Sequence, residues 1–191
     1  MRGGRTCLLE RWIVKALGLG TSLRVAVVSG EDLRGKILSW LAEEFEVSTE
    51  QPPTTAPLDW VLKVTTRGPL KITLVAQKPR GREALVFTLG LALHPKHKEM
   101  LGSLPERERV EFSAQLLKTL YTMCPDCVIA AQPSIPQLNA ILVTKIIYLE
   151  EAERAEVLRA ARTLANMAVV AMIHFNSRFG VAQQPGGEGF M

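Results

Sequence analysis

Alternating apolar and polar positions in the first half of the chain predict three neighbouring β-strands. In residues 58–66 and 70–77 nearly every second position is apolar, and in residues 83–93 leucine or phenylalanine recurs at every second position. A period of two is typical of a strand with one face buried and the other in water. The segments "RGP" and "KPRG" separate the three stretches, so we predict an antiparallel sheet joined by tight turns.

Elsewhere apolar positions repeat every three to four residues, which is the period of a helix buried along one side. This period predicts a helix over residues 31–46, a helical region over residues 94–123 that breaks at Gly102, and a long helix over residues 151–176. Residues 47–57 contain three prolines and are predicted to form a loop.

Two further strands are predicted near residues 127–131 and 139–149. From residue 31 the predicted order is therefore α-β-β-β-α-β-β-α, with five strands. Separate blocks of strands and helices are typical of an α+β fold in which the helices pack on one face of an antiparallel sheet.

The two ends of the chain are predicted to lie outside a single domain at residues 29–176. Residues 1–28 form an N-terminal extension, which is either a docked segment or the product of a start codon placed too far upstream, and its last part (23–29) has the pattern of a short strand. Residues 177–191 are rich in glycine and polar residues and are predicted to form a disordered tail.

Composition and charge narrow the class of protein. The chain has 191 residues, of which 47% are hydrophobic, and its net charge of +4 is a milder basic bias than a dedicated nucleic-acid binder shows. The longest apolar stretch near the C-terminus has 12 residues, whereas a membrane span needs about 20. We expect a cytoplasmic protein without a membrane segment. The excess of Glu over Asp and the low number of Asn favour a heat-adapted source.

The stretch "VVSGEDLRGKIL" has most of the spacing of a nucleotide-binding phosphate loop, with Gly30, Gly35 and Lys36 in place. Ile37, however, occupies the position where a hydroxyl should ligate Mg²⁺. The acidic residues before Gly35 would repel phosphate, and they suit the positive end of a helix instead. We therefore interpret this stretch as a helix start.

Cys124 and Cys127 form a C-x-x-C motif behind a predicted helix, where the helix dipole works against a reactive thiolate. A disulfide, a turn with two free thiols and a redox dithiol stay open as alternatives. His94 and His97 could complete a zinc set, but the main helix between the pairs spans roughly 28 Å. We expect no metal site, and we expect no catalytic or cofactor site because no pattern of a nucleophile with its base is present.

Six cations and no acid lie between Trp60 and Arg82, which is a candidate surface for an anionic partner such as nucleic acid. No aromatic residue is placed beside them to stack on a base, and a charged sheet face also resists aggregation. The six residues are Lys63, Arg67, Lys71, Lys78, Arg80 and Arg82.

Three stretches, "EDLRGKILSWLAEEFEV", "LDWVLKVTTRGPLKITL" and "VFTLGLALHPKHKEML", give the sequence a resemblance to an uncharacterised archaeal family of unknown function. That family is assigned to the type III secretion chaperone-like fold. The likeness runs from about Glu31 to His174 and implies a non-enzymatic, often dimeric, protein-binding module.

Two features of the residues agree with this implication. Residues 164–175 are almost entirely apolar, and Val61 and Val75 interrupt the polar face of the predicted sheet. Either feature could contact a partner, although a buried core helix explains the first equally well. We therefore expect a chaperone-like protein that binds a protein client and forms a homodimer. The alternatives are a nucleic-acid-associated protein that uses the basic hairpin at 63–82, and a thiol redox protein.

Overall fold

The structure is a computed structural model that describes residues 30–54 and 56–181. The predicted extension, its short strand and most of the predicted tail lie outside these residues. The four helices are α1 (Gly30–Ala42), α2 (Pro95–Ser103), α3 (Glu106–Met123) and α4 (Arg154–Phe179). The six strands are β1 (Phe45–Glu50), β2 (Leu58–Thr66), β3 (Thr73–Pro79), β4 (Ala84–Ala92), β5 (Val128–Gln132) and β6 (Ala140–Tyr148), and a 3₁₀ turn (Leu149–Glu151) leads into α4.

All strands form one antiparallel sheet in the order β1-β2-β3-β4-β6-β5. The predicted α+β class and antiparallel sheet are confirmed. The prediction of five strands is wrong, because β1 lies where the helix 31–46 and the following loop were predicted. Phe45 explains the error: it follows Leu41 by four residues, as in a helix, and precedes Val47 by two, as in a strand. In the structure α1 ends at Ala42, and Phe45 pairs with Thr66 of β2.

The helices lie against one face of the sheet, and α4 crosses β3, β4 and β6. Its apolar half forms the centre of the core, where Leu164 and Met167 are fully buried. This placement supports the interpretation that residues 164–175 are apolar because they belong to a buried core helix. Helix α4 ends at Phe179, which is buried, and so extends slightly beyond the predicted end of the last helix at residue 176. Within the described ranges, no helix combines the length and the apolar character needed to cross a membrane.

The opposite side of the sheet, which we call the open face, carries the alternate side chains of each strand. Val61 and Val75 belong to this face by register, since they pair with Gln77 and Lys63. Val61 is nevertheless buried, and Val75 is half-buried. A register irregularity between Leu58 and Trp60 accompanies the run of buried residues in β2. Val61 is therefore less available to a partner than its position in the pattern suggested.

Two arginine–glutamate pairs join α4 to the end of α1. Arg154 Nε donates to Glu43 Oε1 at 2.9 Å, and Arg162 Nε donates to Glu44 Oε2 at 2.6 Å. In each pair the second guanidinium nitrogen also contacts the carboxylate, which makes the pair bidentate. These hydrogen bonds lower the pKa of Glu43 and of Glu44 from their ordinary values. They connect the two residues that follow α1 to the first half of α4.

Candidate functional site

The sheet is incomplete between β3 and β4. These strands pair only from Val75 opposite Thr88 to Gln77 opposite Val86, although β4 continues to Ala92 along its other neighbour, β6. The start of β3 and the end of β4 therefore diverge, and they leave a groove that opens through the sheet.

The start of β3 stays with β2 because Thr66 holds it there. The Thr66 N–H donates to the Ile72 carbonyl at 2.9 Å, and the Thr66 hydroxyl donates to the Leu70 carbonyl at 2.6 Å. The Ile72 N–H in turn donates to Thr66 Oγ1 at 2.9 Å. Gly68, with φ of 106°, forms the turn before this segment in a conformation that favours glycine. These local bonds direct residues 70–73 away from β4.

The backbone of β4 directs polar groups into the groove. In an antiparallel pair, hydrogen-bonded residues alternate along each strand. The Leu93 N–H donates to the Asn139 backbone carbonyl, and the Leu149 N–H donates to the Glu83 carbonyl. Residues 83 and 93 flank β4, so the odd-numbered residues between them also bond to β6. The N–H and C=O groups of Gly90 and Ala92 consequently face the β3 side, where the described strands provide no partner beyond Thr88.

The floor of the groove is apolar and comes from α4. The groove has a volume of about 510 Å³, which lies within the usual size range of ligand sites. Ala168 and Ala171 make room for it because their side chains are small, and Met172 and Phe175 close it from below. Leu89 and Leu91 add apolar side chains from β4. The arrangement can accommodate apolar side chains and at the same time offers backbone hydrogen bonds.

Two of the predicted zinc candidates lie at one end of the groove. His97 is buried, its Nε2 lies 3.0 Å from the Gly180 carbonyl, and its ring stacks on Phe175 at 5.6 Å. Because a carbonyl only accepts, His97 Nε2 carries the proton in this bond. His94 Nδ1 accepts from the Lys96 N–H at 3.2 Å and caps α2. These contacts give both histidines structural roles at the end of the groove.

The structure places the two cysteines at the other end of α3 from the histidines. Cys124 and Cys127 are bonded to each other and are both buried. Sulfur atoms in a disulfide cannot bind a metal as thiolates. Among the described residues, Asp126 is the one other potential metal ligand grouped with these cysteines. Lys145 donates a hydrogen bond to Asp126 and lowers its pKa. The histidines and cysteines therefore do not meet in one site.

Five of the six predicted basic residues lie at opposite ends of β2 and β3, and the sixth, Lys63, lies within β2. Lys71 pairs with Glu46 at 2.5 Å, and Arg67 donates to the Ala42 carbonyl at 2.6 Å. At the other end, Asp59 lies 3.5 Å from both Lys78 and Arg80. The Lys78 ammonium also donates to the Arg82 carbonyl, and Lys63 is half-buried on the open face. Several of these cations are paired with acidic residues, and the six do not form one cluster. They therefore offer an anionic partner a weaker binding surface than the sequence predicted.

Sequence reasoning missed the residues that define the groove. Gly90 was a usable signal, because a glycine inside a strand often marks a close approach of another backbone. Ala168 and Ala171, three residues apart on one helix face, were a second signal. The start of β3 diverges from β4 because of contacts between segments far apart in the sequence, and no local sequence pattern predicts this divergence.

Comparison with known proteins adds the family and the fold. Residues 33–175 match the family described as "Uncharacterized conserved protein (DUF2299)", and since the match covers about three quarters of the chain, the chain belongs to that family. A crystal structure of an uncharacterized protein from Methanothermobacter thermautotrophicus is similar in fold, with a TM-score of 0.65 and 19% identity over 77% of this chain and 99% of that one. None of the curated proteins matches the sequence.

Proposed function

We propose that this family member is a non-enzymatic, chaperone-like protein of the cytoplasm, which binds apolar segments of other proteins in the groove between β3 and β4. The groove itself is the observation that carries this proposal. Its apolar floor and its volume of about 510 Å³ suit several buried side chains of a partner. The resemblance of the sequence to the type III secretion chaperone-like fold supports the same class of function.

The polar side chains around the groove favour binding over chemistry. The Lys71 ammonium is engaged by Glu46, and the His97 ring is engaged by the Gly180 carbonyl and stacked on Phe175. A general base or nucleophile would need to face the bound molecule within hydrogen-bonding reach. Lys71 and His97 instead hold segments of the protein together, which suits a binding site with a stable shape.

An aggregation assay with a groove-filling variant tests this function. We expect the wild-type protein to suppress light scattering by reduced insulin B chain at equimolar concentration, because the groove shields apolar segments from one another. Ala171→Trp should lose most of this activity, since an indole occupies the space in the groove. Ile173→Trp, on an exposed side of the same helix and outside the groove, should retain it.

Melting curves of both variants control for folding. The proposal fails if the wild-type protein suppresses no aggregation, or if folded Ala171→Trp suppresses aggregation as well as the wild type does. Binding of nucleic acid through the basic hairpin stays a prediction from the sequence. Nucleic-acid binding has less support than protein binding, because Lys71, Lys78 and Arg80 are engaged in ion pairs.

A further inference from the structure

We propose that the partner binds as an extended strand that pairs with the free edge of β4 inside the groove. This inference rests on the proposed protein-binding function and specifies the conformation and chemistry of the partner segment. Addition of a strand to an exposed sheet edge is an established way for proteins to bind peptides, with main-chain hydrogen bonds giving affinity and pockets for alternate side chains giving specificity.

The backbone groups on the two walls of the groove fit such a strand. On the β4 wall, the N–H and C=O groups of Gly90 and Ala92 face the groove, as the bonding of β4 to β6 shows. On the β3 wall, Ile72 bonds to β2 through Thr66, so the alternation directs the backbone groups of Lys71 and Thr73 towards the groove. A strand between the walls would satisfy donors and acceptors that the described strands leave unpaired.

The floor determines the side-chain pattern of the partner. Side chains of a strand alternate between faces, so every second residue of the partner would point to Ala168, Ala171 and the other apolar residues of α4. The intervening residues would emerge on the open face beside Thr73 and Thr88, which are half-buried threonines. The partner segment is therefore alternately apolar and polar.

The length of the wall limits the segment. The β4 side of the groove extends from Leu89 to Leu93, which corresponds to about 13 Å of extended chain. A partner therefore contributes four or five residues to the groove, of which two or three enter the apolar floor. Longer segments would continue past the groove into solvent.

Charge favours an acidic residue at one end of the segment. Where β4 passes into α2, the exposed Lys96 and Lys98 follow His94, and the first turn of α2 contains no acid. Glu99 offsets part of this positive charge one residue later. A glutamate or aspartate that flanks the apolar residues of the partner would lie near these lysines and gain a salt-dependent attraction.

Proline substitution at Gly90 gives the sharpest test. Gly90→Pro removes the N–H that faces the groove but leaves the bonds of β4 to β6 intact, and proline is tolerated at such an edge. Gly90→Ala is the matched control, because the added Cβ meets no atom within 4 Å and the N–H remains. Ala92→Pro removes the second donor in the same way.

The probe is a pool of acetylated octapeptides in which valine, leucine or isoleucine alternates with threonine or serine and a glutamate stands at one end. We expect the wild type to enrich members of the pool, with affinity falling as salt rises, and both proline variants to lose at least tenfold in affinity, Gly90→Pro being compared with Gly90→Ala. Amide exchange should also show Gly90 and Ala92 exchanging faster than Leu89 and Leu91 in the free protein and slowing on addition of an enriched peptide.

Several outcomes would overturn the strand proposal. These are the absence of any enriched peptide, unchanged binding by the folded proline variants, and slow exchange of Gly90 in the free protein. If the proline variants also fail to change insulin protection while Ala171→Trp abolishes it, the groove binds protein but not as a strand. If the free protein self-associates and Gly90→Pro makes it monomeric, the edge of a second copy occupies the groove instead.

Discussion

Ser113 is a fully buried polar residue whose hydroxyl has no hydrogen-bond partner among the described residues. A buried donor without a partner loses its bonds to water and gains nothing in return. We predict that Ser113→Ala leaves the free energy of unfolding unchanged or raises it by up to about 1 kcal/mol. Urea unfolding measures the difference.

Leu116, one turn further along α3 and fully buried, is the control for this measurement. Leu116→Ala should lower the free energy of unfolding by roughly 2–5 kcal/mol because it leaves a cavity. A loss of more than 1 kcal/mol in Ser113→Ala would show that the hydroxyl has a partner in solution. Sequence pattern could not identify Ser113 as buried, because serine in a helix is more often exposed.

At the scale of elements, the contact between α1 and α4 should depend on pH. Hydrogen bonds from Arg154 and Arg162 lower the pKa of Glu43 and of Glu44. A carboxyl whose pKa is lowered on folding stabilises the folded state above its unfolded pKa, and this contribution disappears as pH falls through the folded value. We therefore predict that the double variant Glu43→Gln, Glu44→Gln melts slightly below the wild type at pH 7, and that the difference begins to shrink below the ordinary glutamate pKa of 4.5 and disappears once the pH lies below the lowered pKa of the folded state.

Thermal melts at a series of pH values follow this change. A second double variant, Glu50→Gln, Glu111→Gln, changes two exposed carboxylates outside the contact between α1 and α4 and is the control. Equal melting temperatures for the wild type and the first variant at pH 7 would show that these exposed pairs add nothing measurable, as many surface pairs do.

The elements themselves were predictable to a useful extent. Strands β2 and β4 and helices α3 and α4 follow from periods of two or about 3.6 in their apolar residues, and β3 and β6 were also predicted close to their observed positions. Strand β1 was missed, since Phe45 satisfies both periods and the polar residues after it resemble a loop. The groove was missed for a different reason: it arises where two well-predicted strands fail to pair, and pairing depends on contacts far apart in sequence.

At the scale of the whole molecule, the open face favours a homodimer. In β4, β5 and β6 the side chains on this face include no charged residue, and Val128, Ile146 and Tyr148 are 62%, 44% and 58% exposed. Such a patch can meet its own copy across a two-fold axis without repulsion between like charges. The β1–β2 half of the face carries Glu46 and Lys63 and would lie outside the contact.

We predict that the wild-type protein sediments as a dimer at tens of micromolar, and that Ile146→Glu sediments as a monomer with unchanged circular dichroism. Lys63→Glu, on the charged half of the same face, should remain dimeric. A monomeric wild type at this concentration would contradict the prediction, and a dimeric Ile146→Glu would place the interface elsewhere.

The short pairing between β3 and β4 also makes this boundary the mechanical weak point of the sheet. Three residue pairs join these strands, whereas nine join β4 to β6. Force applied across the sheet would therefore separate β1–β3 from β4–β6 before it breaks either half. Helix α4 contacts strands on both sides of the boundary and would carry the remaining load. The last helix thus determines how far the two halves of the sheet can move apart.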